Sequence, residues 1–188
     1  KAPNLKAKII NGAQQKIAKL ATYFARDTDA FIINSYLPKI SQLKLQIALG
    51  QCPQLWASPK LVMSETADRS TREKLARRVE KKSDDKLFEI LSEMVFDLLP
   101  VCYLEGFGSL HNLAQHQPWP KNPKFIFTSN NFATDEVFKL WAASKVELGA
   151  KYIVGQHGGH YGTYRYMQPS VEEDTADQFL TWGWTDGL

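Results

Sequence analysis

The sequence predicts an α/β fold built on a mainly parallel sheet, and three observations predict it. Lys124–Thr128, Lys151–Val154 and Gln178–Trp182 are short apolar runs of strand length. Between the first two, Val137, Phe138, Trp141, Val146 and Leu148 form the apolar set of a helix, and Gly149 supplies its stop. Strand, helix, strand at this spacing is a βαβ unit, whose right-handed crossover sets the strands parallel.

The remaining elements follow in order. Residues 4–24 place Leu5, Ile9, Ile10, Ile17, Leu20 and Phe24 near helical spacing, interrupted at Gly12. Asp27-Thr28-Asp29 is a turn, Ala30–Asn34 a short buried strand, Ser35–Leu43 a brief helix or loop, and Leu45–Leu49 a candidate second strand. Gly50, Pro53 and Pro59 mark a loop. Ser64–Lys82 is dense in charge; a solvated helix face with i,i+4 pairs is the plain reading, a phosphate or membrane contact the other. Ser83-Asp84-Asp85 caps a helix over Asp85–Leu99, whose stripe is Leu87, Ile90, Leu91, Met94, Val95 and Leu98. Val101–Gln115 reads as a further helix containing Glu105, and Gln117–Pro123 as a stiff connector. Ser129-Asn130-Asn131 joins a strand to a helix capped by Thr134, and Val171–Asp177 is a short acidic helix or turn. The chain thus divides into a helix-rich first half, 1–116, and a βαβ part, 124–184.

The 188 residues are 44% hydrophobic and 23% charged, the balance of a globular domain with a substantial core. A net charge of +3 is too small to argue for nucleic acid. No apolar run approaches the ~20 residues that span a bilayer. The two cysteines, Cys52 and Cys102, are far apart and fit reduced, packed thiols of a cytoplasmic protein better than a disulfide framework. A start at Lys1 and a stop at Leu188 read as a fragment of a longer chain.

The chemistry points to the stretch after Lys151–Val154. Gly155-Gln156-His157-Gly158-Gly159-His160-Tyr161-Gly162 holds four glycines in eight residues, a backbone that turns sharply and lets a ligand approach. Loops at the carboxyl ends of parallel strands face the binding crevice. Histidine suits a general base near neutral pH, so His157 is the catalytic candidate; the alternative is a histidine hydrogen-bonded at the strand end for structural reasons. Gln156, Gly158, Gly159, His160 and Tyr161 are candidate substrate contacts, and Arg165 can neutralise a phosphate or pair with Glu172, Glu173 or Asp174. Asn130 leads into the same crevice, with helix capping as its other reading. Glu105 is a candidate second acid or orienter for His157. Trp182 and Trp184 read as core or domain-interface residues. His157 and His160 form an H-x-x-H pair, but no further ligand stands at fitting spacing and no metal is expected. No cofactor is expected either.

Tyr103-Leu104-Glu105, Pro123–Phe132, Phe138-Lys139-Leu140-Trp141, Gly155–Gly162 and Ala176–Trp184 together resemble a family of transferases found with bacterial O-antigen and other surface-polysaccharide biosynthesis enzymes. The resemblance covers the second half well and the first half through Ser35-Tyr36-Leu37-Pro38. More distantly, His157-Gly158 is similar to the His-Gly motif of teichoic-acid glycerophosphotransferases, whose histidine is taken as the base. This sequence continues Gly159-His160-Tyr161 where those enzymes have Thr-Pro, which leaves donor and acceptor open.

The resemblance implies a Rossmann-like three-layer sheet forming the acceptor-side half of a two-Rossmann-domain (GT-B) glycosyltransferase architecture. It implies a second, nucleotide-binding domain after Leu188 that holds most of a nucleotide-activated donor. The acceptor would be a hydroxyl of a glycan or lipid-linked precursor, with a cytoplasmic location that allows a peripheral place at the inner face of the membrane. Two rivals stand beside this reading. A nucleotide-sugar epimerase on the same architecture would need more acid/base carboxylates. A non-catalytic glycan-binding module would use Tyr161, Tyr164 and Tyr166.

Overall fold

The computed structural model describes residues 22–78, 86–159, 161 and 170–185, with the side chains of residues 89 and 93 left aside. In chain order these form β1 (Phe31–Ile32), α1 (Lys39–Ala48), α2 (Arg69–Ala76), α3 (Lys86–Leu98), a 3-10 turn (Val101–Tyr103), α4 (Phe107–Gln115), β2 (Phe125–Thr128), α5 (Asn131–Thr134), α6 (Glu136–Glu147), β3 (Lys151–Gly155), α7 (Val171–Thr175) and β4 (Gln178–Leu180). The helix expected over 4–24 and the cap at Ser83-Asp84-Asp85 lie outside the described residues. Two compact units result: Lys1–Pro59 with Gln117–Leu188, and Lys60–His116.

The first unit is a Rossmann-like α/β fold. Its four strands pair in the order β1-β2-β3-β4, every pair parallel. The register sets Phe31 beside Ile126, Phe127 beside Ile153, and Val154 beside Phe179. Parallel strands bury both faces, so Phe31, Ile32, Ile126 and Val154 are wholly buried. Phe31 is the centre of an aromatic cluster, with ring centroids 4.5 Å from Trp141, 4.9 Å from Trp119, 5.5 Å from Trp56 and 6.4 Å from Phe138. Of the expected apolar set, Val137, Phe138 and Trp141 are the buried face of α6, whereas Val146 and Leu148 at its end are exposed. Gly149 follows α6 at φ +96°, the left-handed stop that a side chain would strain.

The expected strand over Leu45–Leu49 is instead the end of α1 and the turn after it. Leu45, Ile47 and Leu49 alternate in the manner of a strand, but Ile40 and Ile47 are exposed while Gln46 is fully buried. A glutamine network explains the inversion. Gln46 accepts from the Gln54 N–H at 2.8 Å and donates to the Gln54 carbonyl at 2.9 Å. Gln51 bonds both backbone groups of Ala30 at 3.0 Å, as a neighbouring strand would, and so closes this side of the chain at the start of β1. The cap of α6 is likewise not Thr134 but Asp135, whose Oδ1 accepts from the Phe138 N–H at 2.9 Å. Thr134 ends the single turn of α5.

In the second unit, α2 and α3 lie together. The helix expected across Val101–Gln115 is broken between Tyr103 and Phe107. The break lets Glu105 meet Arg72, Nε to Oε1 at 2.7 Å and Nη2 to Oε2 at 2.8 Å, with both side chains almost out of solvent. Arg72 Nη1 also donates to the carbonyls of Phe96 and Leu99, at 2.5 and 2.8 Å, capping the end of α3. The fork of Arg72 is the first cause holding the Glu105 carboxyl down to about 2, with the Asp68 N–H adding to it against the opposing effect of burial.

The sign of the pH dependence follows. A carboxyl depressed from 4.5 to about 2 contributes its full stabilisation above pH 4.5 and loses it as pH falls toward 2. Glu105→Gln is therefore expected to melt several degrees below wild type at pH 7 by circular dichroism. The gap should narrow steadily between pH 4.5 and 2. A constant gap across that range would show that the charge is not what matters.

Candidate active site

The site lies at the carboxyl edge of the parallel sheet, where β1, β2 and β3 each release a short polar loop. The first two loops are stapled to each other. Ser129 N–H donates to the Asn34 carbonyl at 3.0 Å, Ser129 Oγ to the Ser35 carbonyl at 3.0 Å, and Asn34 Nδ2 to Asn131 Oδ1 at 2.8 Å. Asn34 and Tyr36 adopt φ +47° and +55°. Asn tolerates this region, whereas Tyr is held there at a cost of about 1–3 kcal/mol. Gly155 is needed for closeness: a Cβ on it would stand 2.9 Å from Ser129 Oγ and 3.0 Å from the Phe127 ring.

His157 follows β3 with its side chain 31% exposed, open enough to meet a ligand. Its Nε2 lies 3.5 Å from Glu172 Oε1, which also accepts from the Tyr161 hydroxyl at 3.2 Å. Glu172 is aimed there by local chemistry. Ser170 and Glu173 form a capping box, Ser170 N–H to Glu173 Oε2 at 2.7 Å and Glu173 N–H to Ser170 Oγ at 3.3 Å, which fixes the first turn of α7. Burial pushes the Glu172 carboxyl up, but its own N–H, Ser170, His157 and Tyr161 together bring it below the ordinary range. Burial, then the Glu172 charge, raises the Tyr161 phenol. Tyr152 is pushed up to about 12 by the same two causes.

Glu172 therefore stays a carboxylate at neutral pH beside an imidazole. With Nε2 turned to Glu172, Nδ1 is the nitrogen left to take a proton. Aromatic rings surround the imidazole: Tyr36 stacked at 6.3 Å, Phe132 tilted at 6.2 Å and Tyr161 edge-on at 5.5 Å.

The other expected site residues fall out differently. Gln156 is buried and its amide is committed within the protein, donating to the Gly158 carbonyl at 2.7 Å and accepting from the Trp182 N–H and Trp184 Nε1 at 2.9 and 2.8 Å. It shapes the loop rather than facing a ligand. Gly158 is half-buried and Gly159 exposed. Glu105 belongs to Arg72, and the carboxylate at His157 is Glu172. Asn130 is at the crevice, but it makes no cap: its Nδ2 donates to the Tyr36 hydroxyl at 2.7 Å, while Thr128 Oγ1 takes the Asn131 N–H. Trp182 is exposed rather than core, and Trp184 is held through Gln156. His160, Arg165, Tyr164 and Tyr166 lie outside the described residues. Among the described residues no three His, Cys, Asp or Glu side chains gather as metal ligands.

Shallow pockets of about 230 and 280 Å³ open at the opposite edge of the sheet, one beside Lys121, Lys124 and Lys145, the other beside Lys151 and Asp177. Neither is lined by a group that exchanges a proton near neutral pH.

A family model described as LIC12162 family transferase matches residues 1–188, the whole chain. The chain belongs to the LIC12162 family of transferases. Neither the curated proteins nor the solved structures give a match. For a member of the LIC12162 family, Glu172, Tyr36 and Phe132 are the residues of interest that sequence reasoning did not place at His157. Only Glu172 had a readable cue, its seat behind Ser170 in the first turn of a capping box.

Proposed function

We propose that this transferase moves a glycosyl or glycerophosphate group from a nucleotide-activated donor to a hydroxyl of a surface-polysaccharide precursor. His157 is the general base. The contact between His157 Nε2 and Glu172, at the carboxyl edge of a parallel sheet, carries this reading. Glu172 orients the ring and stabilises the imidazolium; Nδ1 takes the proton as the acceptor oxygen attacks the donor, and the nucleotide leaves with the electron pair of the broken bond. A second domain would hold most of the donor, and a lipid-linked acceptor would bring the protein to the inner face of a membrane. Among the described residues no helix is long and apolar enough to cross one.

The rings of Tyr36, Phe132 and Tyr161 favour a second reading, a glycan-binding module without catalysis. Incubation of the full-length protein with a panel of nucleotide-activated sugars and glycerol, plus oligosaccharide acceptors, separates the two. Release of nucleotide that depends on acceptor supports transfer. Oligosaccharide binding with no donor consumed supports the module.

A further inference from the structure

We propose that Tyr36 is the platform of a subsite for one neutral sugar ring, the ring that presents its hydroxyl to His157. This rests on the reading of His157 as a base acting on a hydroxyl. Tyr36 is 63% exposed, so core packing does not account for its conformation. Yet it is held at φ +55°, a region Tyr seldom takes, and its hydroxyl accepts from Asn130 Nδ2 at 2.7 Å. Strain retained at an exposed, anchored aromatic is a mark of a functional position.

The ring lies 24° from the plane of the His157 imidazole with centroids 6.3 Å apart. The imidazole is thus the neighbouring ring of the platform. A pyranose has a face of C–H groups that packs on an aromatic ring and a rim of hydroxyls for polar partners. The ion-pair partner of His157 among the described residues is the carboxylate Glu172. A negative charge there disfavours an anionic acceptor and suits a neutral polyol. The acceptor class that fits is a sugar ring rather than a glycerol phosphate chain end.

The test is binding, which does not depend on turnover. Full-length protein is titrated by calorimetry and saturation-transfer NMR with the methyl glycosides of glucose, galactose, mannose and N-acetylglucosamine, and with glycerol 3-phosphate. At least one glycoside should bind. Tyr36→Gly, which removes the ring and accepts the left-handed backbone without strain, should weaken it about tenfold. Tyr36→Phe keeps the ring and should stay within about threefold. His157→Gln should still bind the glycoside, so that loss of the base reading leaves this one standing.

Three results would overturn the proposal: no glycoside binds wild type, Tyr36→Gly binds it as wild type does, or glycerol 3-phosphate binds at the expense of the glycosides.

Discussion

Transfer by the full-length protein is expected to fall about a hundredfold or more in His157→Gln, with little change in melting point. Glutamine has nearly the length of histidine and can still donate to Glu172, but it cannot accept a proton near neutral pH. The side chain is partly exposed at a loop and glutamine fills much of its volume, so the melting point should hold. Glu172→Gln is the informative companion. It leaves the imidazole in place and removes the charge that faces Nε2 at 3.5 Å. Its effect should be smaller and fall on kcat rather than KM, since Glu172 acts through His157 and not on the acceptor. Because its carboxyl is held below the ordinary range, the charge is present throughout the neutral region. Glu172 therefore adds no titration of its own to the rate profile between pH 6 and 8. Undiminished transfer by His157→Gln would remove the base from this residue.

The parts of this protein legible in its sequence are those where one physical rule acts alone. β2 and β3 are short apolar runs in the middle of a parallel sheet, and α6 shows its buried Val137, Phe138 and Trp141 at helical spacing. The turn into the His157 loop was legible for the same reason, as glycine has few other uses after a buried strand. What escaped was set by long-range polar contacts. α1 carries its glutamine inward and two isoleucines outward because Gln46 serves the backbone of Gln54, a partner eight residues away. The helix around Glu105 breaks because Arg72, 33 residues earlier, claims its carboxylate. Tyr36 and His157 are distant in sequence and meet only because β1 and β3 end at the same edge of the sheet. No local period announces such a pair.

Phe31→Ala is expected to destabilise the first unit by about 3–5 kcal/mol, the range for truncating a fully buried aromatic. β1 is only two residues long and pairs on one side with β2, so its hydrogen bonds alone hold it weakly. Its seat is secured by the ring of Phe31 among Trp56, Trp119, Phe138 and Trp141. Alanine would leave a void bounded by rigid rings, which collapse poorly around it. All five tryptophans fall in Lys1–Pro59 and Gln117–Leu188, so urea unfolding followed by their fluorescence reports this unit alone. Phe31→Leu refills much of the volume and should recover more than half of the loss. A destabilisation below about 1 kcal/mol would mean that the glutamine contacts, not the aromatic cluster, seat β1. The consequence reaches the site, because the same strand runs on into Asn34, Ser35 and Tyr36. Loosening Phe31 should weaken glycoside binding by releasing Tyr36 from the imidazole, with His157 itself untouched.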